Sequence, residues 1–382
     1  MRILKHIKFY LVFFAGLVTH LQSQVLITIT SVPKETPADA RIFMPNSLNN
    51  WIPDDPDFEL KKDSAGNYIL QIPENKGTLE YKFTQGNWET AEGDRNGNNS
   101  DNRKLTFSKN AQNVENKILS WERTAAKKNT ATDNVQVLSE NFNIPQLKTS
   151  RRIWIYLPPH YATSTKKYPV IYMQDAQNLF NDATSFSGEW KVDKTLNQLF
   201  EEGNRAAIVV GIENGGVERL NEYSAWNNAK YGGGKGDAYT EFLAKTLKPY
   251  IDKNYRTLPQ AKNTALIGSS MGGLISFYAG LKYPEKFGKL GIFSPSFWFD
   301  FKDLNLFVSK SAKNLKNTQF YFLAGVKESE EMVSDIEKVI PVLIKKGVPP
   351  EHIKTKFDED GTHSESYWSR EFGAAYLWLF KN

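Results

Sequence analysis

Between Thr264 and Tyr283 an apolar run, Thr264-Ala-Leu-Ile267, passes through Gly268-Ser-Ser-Met-Gly-Gly273 into Leu-Ile-Ser-Phe-Tyr-Ala-Gly-Leu-Lys-Tyr283, which has helical composition. So short a passage, with three glycines, reads as a tight strand-to-helix turn in which added side chains would collide with neighbouring backbone. Ser270 stands at its apex between Gly268 and Gly272, and Ser269 falls one place short of it. A serine so placed is lifted to the carboxyl end of a sheet. The helix beneath it offers free N–H groups and a positive dipole end.

The rest of the chain supplies that sheet. From residue 134 to 382, strand-like runs at Arg152–Leu157, Tyr168–Met173, Ala206–Ile212, Lys289–Phe293, Gln319–Ala324 and Ile353–Phe357 alternate with helical ones. The helical runs are Lys191–Phe200, Ala238–Asn254, Glu330–Lys346 and Ser366–Phe380. Apolar strands between amphipathic helices predict an α/β domain with a mostly parallel sheet covered on both faces. Residues 24–122 have another rhythm. Short strands at Val25–Thr30, Tyr68–Ile72, Leu79–Phe83 and Lys117–Trp121 lie between polar turns, predicting a small all-β immunoglobulin-like sandwich. The polar stretch 123–133 reads as a linker.

Arg2, Lys5 and Lys8 precede the apolar run Phe9–Val18, and Ser23 offers a small residue for cleavage. That is the layout of a secretory signal peptide over residues 1–23. Removing the leader's three basic residues takes the formal charge from +5 to +2. A near-neutral mature chain gives no electrostatic case for nucleic acid or for a membrane surface. The chain contains no cysteine, which excludes disulfides, thiol catalysis, a lipid-bearing cysteine and thiolate metal sites. The expected location is therefore secreted or periplasmic, in a bacterial cell envelope.

A serine needs a general base, and the chain has five histidines. His6 and His20 belong to the leader. His160 falls in a turn before the apex serine, and His352 stands near the start of a strand. His363 follows the strand-like Ile353–Phe357 and precedes the last helix, where the order serine–acid–histidine puts the base. The acid belongs after Gln319–Ala324, and Glu328 is the choice. Glu330, Glu331 and Asp335 read as the acidic start of the next helix, and a Ser–His dyad is the alternative. Met271 N–H is the expected first oxyanion donor. The second comes from the loop after Tyr168–Met173, with Gln177 preferred over Ala176.

Five segments lie in order across residues 135–382: Tyr172-Met-Gln-Asp-Ala-Gln-Asn-Leu-Phe180, Gly211-Ile-Glu-Asn-Gly215, Gly268-Ser-Ser-Met-Gly-Gly273, Phe293-Ser-Pro-Ser-Phe-Trp298 and Gly361-Thr-His363. Together they resemble the putative-esterase branch of the α/β-hydrolases, which holds esterase D, enterochelin esterases and feruloyl esterases. The resemblance implies ester hydrolysis by Ser270, His363 and Glu328. The family usually has His-Asp-Gly where this chain has Gln174-Asp-Ala176. Residues 24–122 resemble family 20 starch-binding modules and their glycogen-binding relatives through Asn49-Asn-Trp51, Glu80-Tyr-Lys-Phe83, Trp88-Glu89 and Asn102-Arg103. That likeness implies sugar contacts by Trp51, Lys82, Trp88 and Asn102, since a pyranose C–H face stacks on a rigid indole. Both tryptophans also fit a reading as core or packing residues.

Tyr231-Gly-Gly-Gly-Lys-Gly-Asp237 lacks phosphate-loop spacing and is expected to form a mobile loop beside the active site with Tyr223 and Trp226. Asp94-x-Asn96-x-Asn98 lacks the glycine and glutamate of a calcium loop and reads as a turn. No metal and no cofactor are expected. The sequence thus predicts a secreted serine esterase acting on an ester of a carbohydrate or small acyl compound. A siderophore-ester hydrolase and a glycan-binding protein with an inactive hydrolase domain are the alternatives.

Overall fold

The computed structural model describes residues 24–382 apart from 50, 74, 96, 98, 99, 122–127, 312 and 382. The expected leader, the linker as far as residue 127, and Asn96 and Asn98 of the calcium-like turn lie outside the described residues. Two units form. One runs to Trp121 without 88–90 and 97–101, and the other comprises those stretches and the remainder of the chain.

The first unit contains β1 (Gln24–Ser31), β2 (Ile42–Phe43), β3 (Glu59–Lys62), β4 (Tyr68–Pro73), β5 (Thr78–Tyr81), β6 (Glu92–Gly93), β7 (Arg103–Thr106), β8 (Gln112–Lys117) and β9 (Ser120–Trp121). Five strands pair in the order β2-β3-β4-β1-β8, while β5 pairs with β7 and β6 with β9. In β1 the two-residue period puts Val25, Ile27 and Ile29 into a core with Ile42, Met44, Tyr81, Phe83 and Trp121. The single strand expected over Lys117–Trp121 is instead the end of β8 and the whole of β9, with Ile118 and Leu119 between them. Lys82 is buried, 6% exposed. Trp51, Trp88 and Asn102 are half-buried.

The second unit contains an eight-stranded sheet of β10 (Val135–Ile144), β11 (Thr149–Tyr156), β12 (Val170–Gln174), β13 (Ile208–Ile212), β16 (Thr264–Ser269), β17 (Lys289–Phe293), β18 (Gln319–Gly325) and β19 (Ile353–Asp358). Their order is β10-β11-β13-β12-β16-β17-β18-β19, and β11 runs against the others. Successive residues of each central strand enter opposite cores. Ile208, Val210 and Ile212 pack on one face, and Val209 on the other. Both faces are buried, which is why these strands read as unbroken apolar runs. Helices α1 (Val192–Glu201) and α8 (Glu365–Leu379) cover one face. On the other lie α3 (Gly236–Phe242), α4 (Lys248–Asn254), α5 (Met271–Lys282), α6 (Phe301–Lys310) and α7 (Glu330–Lys345). The short α2 is Arg219–Glu222, and β14 (Asn227–Asn228) pairs with β15 (Gly232–Gly233).

The helix expected over Ala238–Asn254 runs without a gap, with one π turn, Leu243–Leu247, between α3 and α4. Pro249 lies in the first turn of α4. It has no N–H for the carbonyl four residues back, and the widened turn accommodates that loss.

The glycine-rich stretch is also not the free loop expected. Gly232, Gly233 and Gly234 have positive φ, and a Cβ on Gly233 would lie 2.1 Å from the Trp226 carbonyl oxygen. Gly234 and Gly236 donate to the Ser224 carbonyl at 3.0 and 2.8 Å. Tyr223 is fully buried, and Trp226 packs on Tyr278 and Phe307. The glycines let this segment lie flush against its own preceding turn.

Candidate active site

Ligand sites in a parallel sheet of this kind form beyond the carboxyl ends of the strands. β12 leads into Asp175, β16 into Ser270, β17 into Ser294 and Ser296, β18 into Glu328 and β19 into His363. The opposite end holds a cleft of ≈ 690 Å³ lined by Lys262, Lys289, Lys313 and His352, and none of the residues nominated for chemistry lines it.

Ser270 caps α5 with φ 55 and ψ −125, a strained conformation for a residue with a side chain. The glycines around it are needed. A Cβ on Gly268 would lie 2.5 Å from the Gly272 carbonyl oxygen, and one on Gly272 3.0 Å from Asp175 Oδ2. Met271 is the first residue of α5, so its N–H has no carbonyl to bond within the helix.

Residues 293–296 join the serine to the acid. Ser270 N–H donates to the Phe293 carbonyl at 2.9 Å, and Ser296 N–H donates to the Ser270 carbonyl at 3.0 Å. The Ser270 and Ser296 hydroxyls are 3.1 Å apart. Ser294 Oγ donates to Glu328 Oε1 at 2.8 Å and accepts from Trp368 Nε1 at 2.9 Å. Gly325 N–H donates to the same Glu328 oxygen at 2.7 Å. The other oxygen, Oε2, lies 2.7 Å from His363 Nδ1.

An ionised carboxylate only accepts, so the His363 Nδ1 that faces Glu328 carries a proton. The Glu328 side chain is 1% exposed. Burial works to raise its pKa, but the hydrogen bond and charge of His363, the Gly325 N–H and the Ser294 hydroxyl outweigh it. The net result is a carboxyl held below its ordinary range. Trp368 meets the imidazole edge-on at 5.0 Å. Gly325 and Gly361 bring the Glu328 and His363 loops together, because a Cβ on Gly325 would lie 2.2 Å from the Gly361 carbonyl oxygen.

After β12, Asp175 has a left-handed backbone (φ 56, ψ 50) and precedes the 3-10 turn Ala176–Asn178. Asn178 N–H bonds the Asp175 carbonyl at 2.9 Å. The N–H groups of Ala176 and Gln177 come too early in the turn for such a bond. The Gln177 side chain is tied to the Asn214 backbone, accepting from its N–H at 3.1 Å. Gln174 and Ala176 also find places. Gln174 is buried, accepting from Tyr239 OH and donating to Ser276 Oγ at 3.4 Å. A Cβ on Gly211 would lie 3.0 Å from the Ala176 methyl, so Gly211 supplies the room for alanine.

Sequence reasoning passed over Arg219, Ser294 and Ser296. Arg219 grips Asp175 with two bonds, Nε to Oδ1 at 2.7 Å and Nη2 to Oδ2 at 2.9 Å. Asn214 adds a third to that carboxylate at 2.8 Å. Ser294 and Ser296 stood in a quoted motif, yet a backbone-linked hydroxyl carries no signal that separates it from any other loop serine. His160 is exposed and His352 sits in the 3-10 turn Pro350–His352, both remote from these strand ends.

The family model described as Putative esterase matches residues 144–379. YbbA of Bacillus subtilis (strain 168), an uncharacterised protein, is 28% identical over 245 residues, covering 60% of this chain and 93% of its own length. The endo-1,4-beta-xylanase/feruloyl esterase of Xylanibacter ruminicola is 27% identical over 235 residues, which are 59% of this chain and 29% of that protein. The enterobactin esterase FES from Shigella flexneri, solved in the presence of enterobactin, is similar in fold with a TM-score of 0.57 and 16% identity. That likeness covers 94% of this chain and 92% of the other.

Proposed function

Because the chain belongs to the Putative esterase family, and is an ester hydrolase with an α/β fold, we propose that it cleaves carboxylic esters of carbohydrates or other small acyl compounds with Ser270 as nucleophile. His363 Nε2 takes the serine proton as Oγ attacks the ester carbonyl. Glu328 holds the imidazole in the productive tautomer and offsets the charge that forms on it. The oxyanion of the tetrahedral intermediate accepts from the N–H groups of Met271 and Gln177. Its collapse expels the alcohol, protonated by His363, and leaves an acyl-enzyme. Water, activated by the same imidazole, attacks that acyl group and releases the acid and Ser270.

One observation carries this reading. A strained serine at a helix start shares the segment 293–296 with a buried carboxylate that is itself bonded to a histidine. Purified protein is expected to hydrolyse p-nitrophenyl acetate or butyrate, and Ser270→Ala to abolish turnover and fluorophosphonate labelling. Activity surviving that substitution overturns the assignment.

The carbohydrate part of the proposal draws on the relative that joins a xylanase to a feruloyl esterase and on half-buried Trp51 and Asn102 as sugar contacts. Export outside the cytoplasm is proposed from the basic and apolar pattern of residues 1–23. A second reading, hydrolysis of a siderophore lactone, draws on the likeness to the enterobactin esterase that extends over 94% of the chain. Acylated sugars, feruloyl esters and a siderophore lactone assayed side by side separate the two.

A further inference from the structure

Two residues beyond the base, Glu365 opens helix α8 with its side chain turned inward, 9% exposed. Its Oε1 accepts from Ser187 Oγ at 2.6 Å and from Asn178 Nδ2 at 2.9 Å. Asn178 closes the 3-10 turn that contains Gln177. It is itself locked, since Phe186 N–H donates to its Oδ1 at 3.0 Å and Trp190 N–H to its carbonyl at 2.7 Å. Gly188 has φ +118, and a Cβ there would lie 3.3 Å from Glu365 Cβ, so this loop rides directly on the carboxyl-bearing residue. A buried acid thus spans two pieces of backbone far apart in sequence, the turn of the oxyanion donor and the loop of the base.

We propose that Glu365 is a positioning residue for ester hydrolysis, holding the Ala176–Asn178 turn in register with His363. The proposal rests on the Ser270 reading and deepens it. The acid's own ionisation belongs to the argument. Burial, above all, raises its pKa to about 7, with Asp175 adding to the rise and Ser187 and His363 opposing it. The charged groups facing it are His363 from its own loop, Asp175 from the oxyanion side and Arg219 from α2. Charged, Glu365 grips Ser187 and Asn178 more firmly, and it favours the imidazolium that forms as His363 accepts the serine proton. The ionised form is therefore the active one.

The test is kcat and KM for p-nitrophenyl acetate across pH 5–9 in the wild type, Glu365→Gln, Ser187→Ala and Ser270→Ala. Glu365→Gln keeps the shape and the acceptor oxygen. At pH 8 it is expected to lower kcat about ten-fold with KM within about two-fold, below the ~100-fold that a 1 Å misplacement costs. The acid limb of log kcat/KM should approach two protons in the wild type and one in Glu365→Gln. Ser187→Ala removes a donor to the carboxylate and should move the limb to higher pH. It also decides the matter if Glu365→Gln does not fold. A wild-type kcat and limb in Glu365→Gln, or an unmoved limb in Ser187→Ala, overturns the inference while Ser270→Ala is still inactive. Turnover that survives Ser270→Ala overturns both this inference and the reading beneath it.

Discussion

Glu328 Oε2 lies 2.7 Å from His363 Nδ1, while its Oε1 accepts from Ser294 and from the Gly325 N–H. Both oxygens are engaged inside protein, so the carboxylate has one orientation and the imidazole one tautomer. The glutamate reaches the histidine from the third position past the glycine that ends β18.

Glu328→Gln leaves an amide that can turn its NH₂ toward His363 and favour the wrong tautomer. The expected loss in kcat is about 10⁴-fold, the scale seen when a triad acid becomes an amide. Steady-state ester hydrolysis checks it, and a loss under about ten-fold would point to a Ser–His dyad.

The two buried acids give opposite pH signatures in stability. Glu328 has a folded pKa below its unfolded one, so its contribution is present above the unfolded value and lost as pH falls through the folded one. The thermal midpoints of wild type and Glu328→Gln should therefore converge on acidification. Glu365 rises from 4.5 to about 7. Its contribution is full below 4.5 and is lost as pH climbs to about 7, a change on the order of 3 kcal/mol. Calorimetry should find Glu365→Gln gaining on the wild type between pH 5 and pH 8.

Gly268→Ala drives a methyl to 2.5 Å from the Gly272 carbonyl oxygen, which is backbone and cannot swing aside. Urea unfolding should show a loss of about 2 kcal/mol or more, with turnover falling as Ser270 is displaced. Gly66→Ala is the contrasting case. It meets nothing within 4 Å, though its φ of +87 still costs something, and turnover should not change.

Arg219→Met removes the partner of a carboxylate whose side chain is 11% exposed. Leaving that charge unpaired should cost about 3 kcal/mol in urea unfolding. Turnover should fall too, because the Asp175 carboxylate lies where a Cβ on Gly272, in the turn at Ser270, would meet it at 3.0 Å. Replacing Asp175 and Arg219 together should recover part of the stability, which a double-mutant cycle measures.

What could be read in advance is uneven for physical reasons. The strands of the large sheet were legible because two buried faces make an unbroken apolar run, as in Ile208–Ile212. The π turn within residues 238–254 was not, since Pro249 acts through a carbonyl one turn away. The glycine run at 232–236 looked free because sequence shows absent side chains, not the carbonyl of Trp226 pressed against them.

The sequence by itself determined the turn at Ser270, because only glycine fits where backbone meets backbone, and it singled out His363 and Glu328 as candidates from their places in loops after strand ends, which is a local feature. Tertiary structure alone decided that Glu328 is clamped by Ser294, that Arg219 grips Asp175, and that Glu365 ties the base loop to Asn178. Those contacts join residues 34 to 187 positions apart. Hydroxyl, guanidinium and carboxyl groups carry no mark of their partner until the sheet brings the strand ends together.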